Sequence, residues 1–114
     1  MALAGNSTSL ASLVPWLQPY AKQLLSLAPS VGVRTLRVTS VKRSRAQQSA
    51  LYASFLAGRA SYPVAKPGTS RHELGLAWDM VTEPYSALWL LGDIWKKAGG
   101  FWFAADPIHF EAPR

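Results

Sequence analysis

The chain contains no cysteine among its 114 residues, only two histidines, and six acidic residues against twelve Lys and Arg. Each scarcity excludes something. Without cysteine there is no disulfide framework, no thiolate zinc knot and no thiol nucleophile, so any metal must be held by histidine and carboxylate. The shortage of acid leaves a formal net charge of +6 at pH 7, which favours polyanionic surroundings such as nucleic acid, anionic membrane or an envelope rich in anionic polymers. The basic residues are dispersed, ten of them between Arg34 and Lys97, rather than gathered into one tract, which makes a nucleic-acid module the weaker reading. No segment reaches the length of a transmembrane helix, so membrane insertion is not expected. The first thirty residues also lack the basic start and unbroken apolar run of a signal peptide, being interrupted by Pro15, Gln18, Lys22 and Gln23. A protein of this kind that acts outside a cytoplasm needs another agent to release it.

What is present is core material. Nearly half of the residues are hydrophobic, including five Trp, four Tyr and four Phe. The length suits one domain spanning residues 1–114 and a monomer is expected; residues 1–8 are small and polar, and a frayed start is predicted there. Pro15 is placed to open a helix in which Trp16, Leu17, Tyr20, Leu24 and Leu27 recur at helical spacing until Pro29 stops it. Residues 33–40 alternate as a half-buried strand does, with Leu36, Val38 and Ser40 on one side. Ser44 followed by Gln47 has the form of a capping box and Gly58 sits where a helix C-cap belongs, which predicts a helix over 45–57 with Leu51, Tyr52 and Phe55 as its apolar stripe. Residues 59–71 read as a loop, residues 76–81 as a strand with Asp79 on an otherwise apolar face, and Pro84 to Gly99 as a helix. Phe101 to Phe103 and Ile108 to Ala112 are short strand candidates. The order implies an α+β fold with a small, mostly antiparallel sheet and packed helices.

Both histidines fall in two segments, Pro67 to Met80 and Asp106 to Glu111. His72, Asp79 and His109 are the ligand types of a catalytic zinc whose fourth position is left to water. His72 and Asp79 are seven residues apart, which in a straight strand puts them on opposite faces, and a bulge or positive φ at Gly75 corrects the parity. In the C-terminal segment His109 and Glu111 share one face, and Ile108 and Phe110 the other. Asp106, tied to His109 by the turn at Pro107, is a spare carboxylate able to take a proton from zinc-activated water. Arg43, between the first strand and its helix, is the candidate to meet a developing oxyanion. Taken singly, a histidine beside a strand is more often structural than ligating, the tryptophans are better read as core than as substrate platform, and Glu73 and Glu83 are most simply solvent-facing.

The pattern Ser70-x-His72-x-x-Gly75-x-Ala77-x-Asp79, followed by Asp106-x-x-His109-Phe110-Glu111, resembles the M15 zinc peptidases, which include D-alanyl-D-alanine carboxypeptidases, D,D-dipeptidases and phage L-alanyl-D-glutamate endolysins. Thr39 to Ser44 with Gln48 is similar to that family's Ser-Gly-Tyr-Arg-Ser element and the Gln after it, with Val41-Lys42 in place of Gly-Tyr. The resemblance covers about residues 33 to 112. It implies a hedgehog/DD-peptidase-like fold and one Zn2+ per chain on His72, Asp79 and His109. It further implies a catalytic Asp106, transition-state support from Arg43, and substrate contact by Ser70 and Gln48. Asp106 stands where many carboxypeptidases have Glu, which is closer to the endolysins. The implied substrate is the peptide stem of bacterial peptidoglycan at the cell wall, with a phage holin as one release route. A zinc-bearing cell-wall-binding module without turnover is the alternative.

Overall fold

The computed structural model describes residues 7–60 and 63–114. Among these residues, three helices and three strands follow in the order α1 (Gln18–Ser26), β1 (Thr35–Ser40), α2 (Arg45–Leu56), β2 (Ala77–Glu83), α3 (Ala87–Lys97) and β3 (His109–Glu111), with short 3-10 turns at Leu10–Ser12 and Ala28–Val31. The strands form one antiparallel sheet in the order β1-β2-β3. This is the α+β architecture with a small antiparallel sheet that the sequence implied.

The sheet register positions the chemistry. Strand β2 lies in the middle, pairing Val38 with Met80 and, after an irregularity at Thr39, Ser40 with Asp79. On its other side Trp78 faces Phe110 and Asp79 faces His109. Successive side chains of a strand point to opposite faces. Trp78, Met80 and Phe110 therefore enter the core, while Asp79, His109 and Glu111 face the other way.

On the core side, Leu17, Ala21, Leu24 and Ala28 of the N-terminal helical region pack with Leu88, Leu91 and Trp95 of α3. The aromatic centre is ordered: Trp78 stacks on Phe110 with ring centroids 5.5 Å apart, and Trp95 meets Trp78 edge-on at 5.1 Å. Two indole N–H groups then anchor the C-terminal segment, Trp95 donating to the Glu111 carbonyl at 2.6 Å and Trp102 to the Pro107 carbonyl at 2.9 Å. Gly92 makes room for this, because a Cβ built there falls 2.2 Å from the Trp102 ring.

Several expectations need correcting. The buried stripe of the first helix is Leu17, Ala21 and Leu24, whereas Trp16 and Tyr20 are more than half exposed. They sit one residue, about 100° of arc, round from the buried row. The apolar face assigned to α2 is also displaced: its buried residues are Gln47 and Gln48, while Phe55 is exposed. The capping prediction holds, with Ser44 Oγ accepting from Gln47 N at 3.1 Å and Gly58 at φ +74° just past the helix. Of the strand expected at Phe101 to Phe103, a single bridge from Phe101 to Glu111 forms. The frayed start falls largely on residues 1–6, outside the described residues. Ser7 is pinned, its N–H donating to Lys42 O at 2.9 Å and its carbonyl accepting from Val41 N at 2.6 Å. Glu73, half-exposed, accepts from Gly68 N at 2.8 and 3.0 Å. Trp78, Trp95 and Trp102 are core, but Trp16 and Trp89 are exposed. No helix among the described residues is long and apolar enough to cross a membrane.

Candidate metal centre

His72 reaches the sheet face from a turn, not from a strand. Residues 71–75 turn tightly before β2 begins at Ala77, and Gly75 closes the turn at φ +70°. A side chain there is disfavoured twice, by the left-handed backbone and by the Ser12 carbonyl 3.1 Å from where a Cβ would lie. The parity problem between His72 and Asp79 is solved by the second of the two expected devices, a positive φ at Gly75, which closes a turn ahead of the strand.

The three side chains meet. His72 Nε2 lies 3.1 Å from Asp79 Oδ1 and 3.2 Å from His109 Nδ1, and His109 Nδ1 lies 3.0 Å from the same Asp79 oxygen. These atoms form a nearly equilateral triangle. Two imidazoles and a carboxylate around an ion at zinc–ligand distances of about 2.0–2.1 Å in tetrahedral arrangement would be separated by roughly 3.3 Å. The donor set therefore fits a divalent metal in size as well as in chemistry.

Each imidazole is oriented by a partner on its far side. His72 Nδ1 is 2.6 Å from the Val41 carbonyl, which can only accept, so the proton sits on Nδ1 and the Nε2 lone pair turns inward. His109 Nε2 is 2.8 Å from Glu111 Oε1, so here the proton sits on Nε2 and Nδ1 turns inward. Such partners fix the tautomer of a metal-ligating histidine. Burial disfavours the His109 imidazolium, but hydrogen bonds to Asp79 and Glu111 outweigh it and push its pKa up to about 9. Burial likewise opposes the Asp79 charge, and the interactions with His109 and His72 overcome it, holding this carboxyl well below the usual range. In the metal-free protein His109 is therefore charged at neutral pH, and a metal must displace a proton to bind.

Arg43 lies beside the triangle. Its NH2 group donates to Asp79 Oδ2 at 2.9 Å, Nε to Ser40 Oγ at 3.0 Å and NH1 to Gln48 Oε1 at 3.3 Å. These contacts use three of the five guanidinium N–H groups. Gln48, buried, also donates to Ala65 O at 2.8 Å, so both ends of its amide are engaged within the protein. Ser70 is buried at the cleft wall, and its Oγ accepts from His72 N at 3.2 Å.

All seven residues singled out from the sequence line one cleft of about 300 Å³, together with Val64, Phe103, Glu111 and Arg114. Asp106 is half-buried there, tied to the metal-side strand by His109 N donating to the Asp106 carbonyl at 3.1 Å. Burial, reinforced by the Asp79 charge, raises its carboxyl above the ordinary value against the pull of His109, His72 and Arg43. Sequence reasoning missed the Val41 carbonyl and the roles of Arg114 and the two indole anchors. Glu111 carried a signal, since a residue two after a strand histidine shares its face. A backbone carbonyl carries none.

An antiparallel sheet that presents two imidazoles, a carboxylate and a nearby second carboxylate on one face, with helices on the other, is an α+β peptidase fold. The family model for VanY, D-alanyl-D-alanine carboxypeptidase, matches residues 11–110, and the chain belongs to that family. Among solved structures it is similar to the LdcB LD-carboxypeptidase, at TM-score 0.68 and 21% identity over 88% of this chain and 58% of that one. It is also similar to a mutant of the vancomycin resistance D,D-pentapeptidase VanY in complex with Zn(II), at TM-score 0.68 and 22% identity over 88% and 72%. VanYB in complex with D-alanine-D-alanine matches at TM-score 0.62 and 23% identity over 90% and 72%. The chain thus spans less than two thirds of the length of the LdcB structure. A search of curated proteins gives no match.

Proposed function

We propose that the protein is a zinc-dependent peptidase that hydrolyses the peptide stems of bacterial peptidoglycan. The observation that carries this reading is the triangle of His72 Nε2, Asp79 Oδ1 and His109 Nδ1 with Asp106 and Arg43 in the same cleft. Zinc held there by those three residues supplies Lewis acidity, lowering the pKa of a bound water and polarising a substrate carbonyl.

The chain's own groups do the rest. Asp106, whose burial raises its affinity for a proton, accepts the proton of the attacking water and returns it to the leaving amine. Arg43 is held between Gln48, Ser40 and Asp79, where its remaining N–H groups can meet the oxyanion. Ser70 and Gln48 stand at the wall where the stem peptide lies. Membership of the carboxypeptidase family, and the binding of D-alanine-D-alanine by one structural neighbour, favour cleavage at the D-Ala–D-Ala end of the stem over an endolysin-like cut between L-Ala and D-Glu.

Mass spectrometry of purified muropeptides incubated with the zinc-loaded protein tests the proposal. Loss of a single terminal D-alanine supports the carboxypeptidase reading, and cleavage between L-Ala and D-Glu moves the activity to the endopeptidase class. Unchanged muropeptides overturn the enzyme reading in favour of a cell-wall-binding module.

A further inference from the structure

We propose that Glu111 is a positioning residue that selects Nδ1 of His109 as the atom offered to the metal. This rests on the reading of His72, Asp79 and His109 as metal ligands. An imidazole can present either nitrogen to an ion, and a half-turn of the ring about its Cβ–Cγ bond would bring Cδ2 inward in place of Nδ1. The group on the far side decides. At His109 that group is the Glu111 carboxylate, 2.8 Å from Nε2.

The carboxylate is itself immobilised to a degree that a surface ion pair is not. Its side chain is 3% exposed. Arg114 donates to both of its oxygens, from Nε at 2.9 Å and from NH2 at 3.0 Å, and Arg71 Nε approaches Oε2 at 3.5 Å. The backbone beneath is fixed by the Trp95 indole and by paired bonds with Phe101. Held from both sides, Glu111 cannot turn away from His109. The same crowding separates it from Asp106: its oxygens already accept from His109 and Arg114 and lie beside the Arg71 guanidinium, which leaves it poorly placed to take a proton from water.

Two measurements test this. Zinc affinity, read by competition with a chromophoric chelator, should fall about 10–100-fold in Glu111→Ala, the range found when the outer partner of a metal-bound histidine is removed. Glu111→Gln, whose amide oxygen still accepts from Nε2–H, should recover most of that loss. Arg114→Ala, which leaves the carboxylate in place, should stay within about threefold of wild type, well inside that range. Equal affinity in wild type and Glu111→Ala overturns the proposal, and so does an equal loss in Arg114→Ala, which would assign the effect to the ion pair alone. The second measurement needs no variant. The chain has only two histidines, so ring-nitrogen NMR of the zinc-loaded wild type resolves both, and the metal should lie on Nδ1 of His109 and on Nε2 of His72. Zinc on Nε2 of His109 overturns the proposal. A wild type that takes up no zinc removes the peptidase reading as well, whereas a wild type that loads zinc through the other nitrogen removes this inference alone.

Discussion

Nδ1 of His72 lies 2.6 Å from the carbonyl oxygen of Val41, and the N–H of that same Val41 is held at 2.6 Å by the carbonyl of Ser7. The ring is therefore oriented by a buried peptide unit that is anchored in turn by the N-terminal segment. His109 is oriented instead by the carboxylate of Glu111. The two imidazoles reach the same point through opposite nitrogens, one braced by a main-chain carbonyl and the other by a side-chain carboxylate. The ligand atoms stand 3.0–3.2 Å apart, close to the spacing of donors around a tetrahedral zinc.

Binding at a site that only the folded chain assembles makes the metal a stabilising ligand. At a free zinc concentration of 100 times Kd, binding only the native state contributes about 2.7 kcal/mol. For a domain of this size each kcal/mol moves Tm by roughly 4 °C. Calorimetry should show a rise on the order of 10 °C between chelator-treated and zinc-loaded protein. His72→Ala should lose most of that rise, and a zinc-independent Tm would remove the site.

The pH dependence of the metal-free protein follows from three groups. His109 has its folded pKa raised from 6.5 to about 9, so its contribution is complete below pH 6.5 and is lost as pH climbs through 9. Glu111 is lowered from 4.5 to about 2, despite burial, by hydrogen bonds from His109 and Arg114, and Asp79 is lowered also. Their contributions are present above the ordinary carboxylate values and are lost on acidification. Thermal melts in chelator should therefore peak between about pH 4.5 and 6.5 and decline toward pH 9. A Tm still rising at pH 9 contradicts the assignment of His109. The same raised pKa means that zinc uptake at pH 7 should expel close to one proton from His109, measurable by titration calorimetry in buffers of different ionisation enthalpy.

Asp106→Asn separates holding the metal from using it. The amide preserves shape but cannot accept a proton, and general-base catalysis is typically worth 10²–10⁴-fold. Turnover of a stem pentapeptide should fall by about that factor with zinc content unchanged. Because burial raises the Asp106 carboxyl, the acid limb of the wild-type profile should lie above the ordinary carboxylate range. Retained activity in Asp106→Asn would move the base elsewhere.

How far these features were legible in the sequence depends on what carried them. His72, Asp79, His109 and Asp106 were readable because their chemistry resides in side chains arranged in a recognisable order. Gly75 was readable as a necessary bend, and its positive φ is present; the choice between that and a bulge was not readable, because a positive φ closing a turn and a bulge in a strand leave the same glycine in the sequence. The buried stripe of α1 was misjudged because Trp16 and Tyr20 share a helical period with Leu17 and Leu24, and size suggested that the aromatics lay inside. The buried glutamines of α2 broke the apolar rule because Gln48 faces the cleft and holds Arg43. The Val41 carbonyl could not have been found, since every residue has one.

Gly92→Ala tests whether the core sets the geometry of the site. Helix propensity alone favours the substitution, since glycine in a helix interior costs about 0.8–1.0 kcal/mol relative to alanine. Sterics oppose it, because the added Cβ would lie 2.2–2.7 Å from three atoms of the Trp102 ring, and overpacking of a buried aromatic costs about 1–3 kcal/mol. The steric effect should win and the net change should be destabilising by up to about 2 kcal/mol. The ring can relieve the clash only by shifting the indole that donates to the Pro107 carbonyl, and Pro107 stands between Asp106 and His109. Activity should therefore fall by more than the loss of folded protein accounts for, while zinc affinity, governed chiefly by His72, Asp79 and His109, should change less. A variant with raised Tm and full turnover would show that Trp102 moves without carrying the Asp106 turn with it.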